Sequence, residues 1–161
     1  MTDFLEIFRT LERHNVDYIL VGGLAAVLAG APITTFDCDI VHSRTTDNID
    51  RLLLALADME AMYRLAGGRN LASTAAHLGS RGHQLLSTKW GPLDVLGEIG
   101  EAMSYDDLLP HSKERRVSAD CRVFVLQLHK LIESKEQAGQ EKDQATLPIL
   151  RRTLEQSRGE E

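Results

Sequence analysis

The sequence predicts an α/β fold: a short mixed β-sheet backed by helices, with C-terminal helices closing one side of a cleft. Three observations carry this. An apolar run, Tyr18–Val21, ends in Gly22-Gly23 and opens directly into an Ala/Leu-rich stretch, the pattern of a strand turning tightly into a helix. Two further strand-like runs, 37–41 and 92–97, set carboxylates between apolar neighbours. Apolar residues at helical spacing recur before, between and after these strands.

The elements follow in order. Phe4, Leu5, Phe8 and Leu11 mark a first helix over 3–14, with Thr2 or Asp3 as cap and Asn15 as stop. Strand 18–21 comes next, then a helix at about 23–29 ended by Gly30 and Pro32, then strand 37–41. Thr46 and Asp47 cap a helix whose Ile49, Leu52, Leu53 and Leu56 form a core stripe. From Met62 to about Gly82 the periodicity lapses, and Gly67-Gly68 with small polar residues over 72–80 predicts a mobile connection or a lid over the site. Strands over 83–88 and 92–97 form a hairpin around Trp90-Gly91. Ser104 caps one helical turn over 104–109, a strand spans 121–126, and a helix runs from Gln127 to Ala138. Gly139 punctuates, a last helix spans about 141–155 with a disturbance at Pro148, and the tail SRGEE frays. Residues 1–110 make the core, and 111–161 a last strand and helical segment packed on it in one compact unit.

Composition narrows the function classes. With 161 residues and 43% hydrophobic content the chain can bury a core. Aromatics at 5% offer no stacking platform for single-stranded nucleic acid. Residues 1–110 hold 8 Lys/Arg against 15 Asp/Glu, a balance of −7, whereas 111–161 hold 10 against 9, a balance of +1. An acidic first part opposes bulk binding to a phosphate backbone; nucleic-acid contact, if any, falls to Arg115, Arg116, Arg151 and Arg152. Two cysteines, Cys38 and Cys121, build no disulfide framework, and the histidines lack zinc-ligand spacing. No signal peptide or membrane span is expected, and the cytoplasm is the expected location.

The chemistry concentrates around two acidic strands. Asp37 and Asp39 are two apart on one strand and so share a face, while Cys38 and Ile40 face the other way. Acidic residues are depleted in strands, so the pair needs a reason; an exposed strand face is the plain one. Asp94, between Leu93 and Val95, joins them if its strand pairs with 37–41. Three converging carboxylates repel one another unless a cation neutralises them. Gly22 and Gly23 sit where a helix N-terminus favours an anion such as a phosphate. Other combinations are weaker: nothing orients Ser73 or Ser80 towards His77 or His83 as a nucleophile pair, and Trp90 reads as a hairpin or core residue.

The Gly22-Gly23 turn, TTFDCDIV at 34–41 and GPLDVL at 91–96 resemble the nucleotidyltransferase-fold superfamily, the DNA polymerase beta-like enzymes. Within it the chain is most similar to small prokaryotic abortive-infection and toxin–antitoxin nucleotidyltransferases, a likeness that extends to LHKLIESKEQAGQEKDQ at 128–144. The resemblance implies transfer of a nucleoside monophosphate from a nucleoside triphosphate to a hydroxyl acceptor, an RNA end or a protein, with pyrophosphate release. It implies two Mg2+ ions held by Asp37, Asp39 and Asp94, with Asp94 also activating the acceptor hydroxyl. Gly22 and Gly23 would admit the triphosphate, Lys135 and Lys142 would contact phosphates, and an antitoxin partner would accompany a toxin. An ordinary solvent-facing lysine is the competing reading of Lys135. Three departures stand out: Gly23 where serine is frequent, Ile33 near a frequent arginine, and Gln140 where an arginine often precedes Lys-Asp. They leave open an alternative, a catalytically degenerate relative acting as a nucleotide- or protein-binding module.

Overall fold

The computed structural model describes residues 1–65, 67 and 69–159. Helix α1 (Phe4–Arg13) is capped by Asp3, whose carboxylate accepts the Glu6 N–H at 3.2 Å, and it buries Ile7, Phe8 and Leu11. Strand β1 (Tyr18–Val21) is buried along its length and runs straight into α2 (Gly22–Leu28). Strand β2 (Cys38–His42) follows, then α3 (Thr46–Asp58), whose Ile49, Leu52 and Leu56 enter the core. Next come β3 (Met62–Tyr63), α4 (Ala75–Gly79), β4 (His83–Thr88) and β5 (Gly91–Leu96). A single turn, α5 (Tyr105–Leu108), leads through a short 3-10 segment to β6 (Ser112–Ser118) and β7 (Cys121–Leu126). Helices α6 (Leu128–Ala138) and α7 (Glu141–Gly159) pack on each other at the end.

Among the described residues these strands form one mixed seven-stranded sheet in the order β3-β4-β5-β2-β1-β7-β6. The β2–β5 and β1–β7 pairs are parallel and the rest antiparallel. The α/β architecture expected from the pattern is thus present, with β1 and β2 at its centre.

Several local expectations change. Strand β2 begins at Cys38, leaving Asp37 just ahead of it and exposed. Carried one residue back, the parallel register sets Asp37 against Pro92, which has no N–H to give, so the ladder cannot extend. Strand β6 went unread because Lys113, Glu114, Arg115 and Arg116 are all exposed, a charged edge strand without alternation. The stretch read as a mobile connection holds β3 and α4, the latter capped by Thr74 and His77 rather than the usual Ser/Thr with Glu. Gly68 of the Gly67-Gly68 pair lies outside the described residues, as do Glu160 and Glu161 of the tail. Helix α7 continues through Pro148 and past Glu155 to Gly159.

Candidate active site

The site is a cleft of about 420 Å³ where β1 ends and β2 begins, beside Asp94 of β5, roofed by α6 and the start of α7. Asp37, Asp39, Asp94, Gly22, Lys135 and Lys142 all line it, together with Arg64, Gln140 and Asp143.

The carboxylates reach it through strand pairing. Asp39 and Asp94 are direct neighbours in the parallel β2–β5 register, flanked by the Cys38–Leu93 and Ile40–Val95 pairs, whose side chains are fully buried on the opposite face. This alternation is what allows a two-acid face to exist on a central strand. Burial, with the Asp94 carboxylate alongside, raises the Asp39 pKa to about 7. Asp39 Oδ1 is buried and accepts no hydrogen bond. Asp37 approaches from the loop ahead of β2, at the exposed rim.

The glycines differ in what they do. Gly22 has φ +70°, and a Cβ there would collide with Asp39 Oδ2, so both its backbone and its neighbour demand glycine. Gly23 does not line the cleft; a Cβ there would come within 2.9 Å of Thr35 Oγ1, so its role is to let the loop carrying Asp37 pack against α2. No side chain caps the first turn of α2.

The roof follows from helix geometry. Leu131, Ser134, Lys135 and Ala138 line the cleft at spacings of three and four, one face of α6. Gly139, at φ +60°, ends that helix in the left-handed conformation and brings Gln140, Lys142 and Asp143 back to the cleft. Lys135 Nζ is 3.1 Å from Asp143 Oδ1, and Asp143 is buried. Lys142 is exposed at the rim. Ile33, near the place of a frequent arginine in the resembling family, packs against the core.

Sequence reasoning missed Arg64. It follows β3, its main-chain N–H donates to the Leu85 carbonyl at 3.1 Å, and its Nη1 donates to the Leu86 carbonyl at 2.7 Å. Its Nη2 forms a close ion pair with Asp94 Oδ1. Nothing in the sequence sets Arg64 apart from the other seven Lys/Arg of residues 1–110.

A second hollow of about 490 Å³ adjoins the cleft, sharing His83 and Leu85 with it. Tyr63, Leu65 and Leu71 give it an apolar side, Arg69, His77, His83 and Gln84 a polar one, and Leu85 is the cross-strand partner of Asp94. The Ser/His combinations form no relay there: Ser80 Oγ donates to the His77 carbonyl at 2.7 Å. Trp90 is partly buried against the core.

Among the described residues no three His, Cys, Asp or Glu side chains stand as a ready-made metal cluster. The donor set nevertheless fits a hard divalent cation, because two carboxylates face each other and one buried Asp39 oxygen lacks any partner. No helix among the described residues is long and apolar enough to cross a membrane.

No protein-family model matches this chain, and no curated protein does so significantly. Solved structures do. The chain is similar to TM1012 from Thermotoga maritima, provisionally named a nucleotidyltransferase, with a TM-score of 0.57 at 14% identity over 90% of this chain and 88% of that one. It is similar to the lincomycin-bound lincosamide antibiotic adenylyltransferase LnuA, with a TM-score of 0.59 at 14% identity over 92% of this chain and 94% of that one. The likeness is one of fold: the chain has the nucleotidyltransferase fold.

Proposed function

We propose that the protein transfers a nucleoside monophosphate from a nucleoside triphosphate to a hydroxyl acceptor and releases pyrophosphate. The observation that carries this reading is the opposed Asp39–Asp94 pair in a cleft also lined by Gly22, Lys135 and Lys142. The shared fold of two proteins named for nucleotidyl transfer supports it.

Asp39 and Asp94, with Asp37 at the rim, would hold Mg2+, two ions being expected by the resemblance, with phosphate oxygens completing the shells. When bound, magnesium neutralises triphosphate charge and orients its oxygens. The chain's own residues do the rest. The acceptor oxygen attacks the α-phosphorus, the bond from that phosphorus to the bridging oxygen breaks, and pyrophosphate leaves with that electron pair. Asp94 receives the acceptor's proton. Lys135 offsets charge developing on the pyrophosphate, and Gly22, lacking a side chain, leaves the triphosphate room beside Asp39.

The acceptor classes are an RNA end, a partner protein's side chain or a small molecule. The adjoining hollow, lined by Tyr63, Leu65 and Leu71 beside Arg69, His77 and His83, and the −7 balance of residues 1–110 favour a small acceptor body over a polyanion. LnuA, by its name, adenylylates a lincosamide, a small-molecule precedent on this fold. A toxin–antitoxin role, with an antitoxin partner, is the biological reading that the sequence resemblance adds; growth arrest on expression, abolished by Asp37→Ala, would support it. A second molecular reading is a nucleotide-binding module without turnover, favoured by the ion pair that already occupies Asp94.

The test incubates the protein with each α-labelled nucleoside triphosphate, magnesium and cell extract divided into small-molecule, RNA and protein fractions. Label moving to one fraction with wild type, and not with an Asp37→Ala/Asp39→Ala variant, supports transfer and identifies the acceptor class. Nucleotide binding without transfer to any fraction supports the module.

A further inference from the structure

We infer that Arg64 is a displaceable counter-ion for Asp94: its guanidinium holds that carboxylate in the cleft until a divalent cation takes its place. The inference rests on the reading of Asp39 and Asp94 as metal ligands.

The charges in the cleft are unevenly matched. Asp39 and Asp94 face each other, yet among the described residues only Asp94 has a cation in contact, the Nη2 of Arg64. Asp39 Oδ1 has no partner. Lys135, the other cation of the inner cleft, is engaged by Asp143 at 3.1 Å. Arg64 and Asp94 are 24% and 14% exposed in their side chains, so water screens their attraction only in part. Arg64 therefore leaves Asp39 with no cation in direct contact, Lys135 acting on it only from a distance.

A divalent cation between the two acids balances both. Once it is there, a guanidinium on the same carboxylate is a like charge at close range, and the ion pair loses its purpose. The backbone of Arg64 stays in place during exchange. Its main-chain N–H is held by Leu85 O, so a side-chain rotation that withdraws Nη2 from Asp94 gives up the Nη1 bond to Leu86 O and leaves the β3–β4 edge undisturbed. Arg64 is thus a positioning residue: it keeps Asp94 aimed into the cleft, and its departure accompanies loading.

The test measures Mn2+ binding to the full chain without nucleotide, by the electron paramagnetic resonance signal of the free ion. Wild type is compared with Arg64→Gln, which retains a donor for Leu86 O, and with Arg64→Lys. Removing the competing charge is expected to tighten Mn2+ binding roughly tenfold in Arg64→Gln, with Arg64→Lys staying near wild type. Equal or weaker binding by Arg64→Gln would overturn the inference, since a purely structural arginine would weaken the site when lost. A second readout needs no variant: the Arg64 Nε–H resonance of wild type should shift on Mg2+ titration, and an unmoved resonance at saturation would also overturn it. Failure of the transferase reading looks different, as absent label transfer with these affinities intact. Absence of Mn2+ binding in every chain would sink both.

Discussion

Asp39 of β2 stands directly across from Asp94 of β5, two carboxylates on one face of adjacent strands about 4.8 Å apart. Burial and this neighbour hold the Asp39 pKa at about 7, above its ordinary 3.8. Between those values the folded protein keeps a proton that the unfolded chain has lost, so stability falls as pH rises from about 4 to 7. Thermal melts in a chelator across that window should show the decline. Asp39→Asn should flatten it and raise the Tm at pH 8; coincident slopes would refute the assignment.

Gly22 and Gly139 separate two costs of a side chain. Both have positive φ, but only at Gly22 would a Cβ also strike a carboxylate, and nothing lies within 4 Å at Gly139. Gly139→Ala should lose about 1 kcal/mol, the strain of the left-handed conformation. Gly22→Ala should lose more, at least roughly 2 kcal/mol, which for a chain of this size lowers Tm by about 4–8 °C. Equal losses in urea unfolding would mean that the Asp39 contact does not matter.

Lys135 has two jobs that a double variant can part. Lys135→Ala leaves Asp143 buried without its cation, which should cost about 1–3 kcal/mol. Adding Asp143→Asn should restore much of that stability while nucleotide affinity stays low. Recovery of nucleotide binding along with stability would assign Lys135 a structural role alone.

What was legible in the sequence is what leaves a compositional mark. Gly22 is a backbone necessity that only glycine meets, and Asp39 and Asp94 interrupt strands otherwise apolar, so both stand out by type. Cys38 and Val95 reveal which way the acids face because the pleat alternates. Asp37 shows the limit of that rule: its distance from Asp39 predicted a shared strand, but Pro92 opposite ends the ladder before it. Arg64 left no mark at all. It follows a strand of two residues and meets an acid 30 positions away, so only the register of β3, β4 and β5 brings the charges together. Strand β6 was hidden by its own edge position, where charge is favoured over alternation.

The adjoining hollow invites its own check. Leu85 lies at its boundary with the cleft and opposite Asp94, and Leu71 is exposed within it. Leu71→Glu should leave nucleotide affinity unchanged while reducing transfer to a small acceptor by roughly tenfold or more through KM. If transfer to that acceptor is unaffected, the hollow is not where it sits.

The most direct measurement of the central claim is calorimetric binding of a non-hydrolysable nucleoside triphosphate analogue, with and without Mg2+, to wild type and to Asp39→Asn. The account predicts Mg2+-dependent binding by wild type and a loss of roughly tenfold or more, about 1.4 kcal/mol, in the variant. Binding by Asp39→Asn that equals wild type would contradict it.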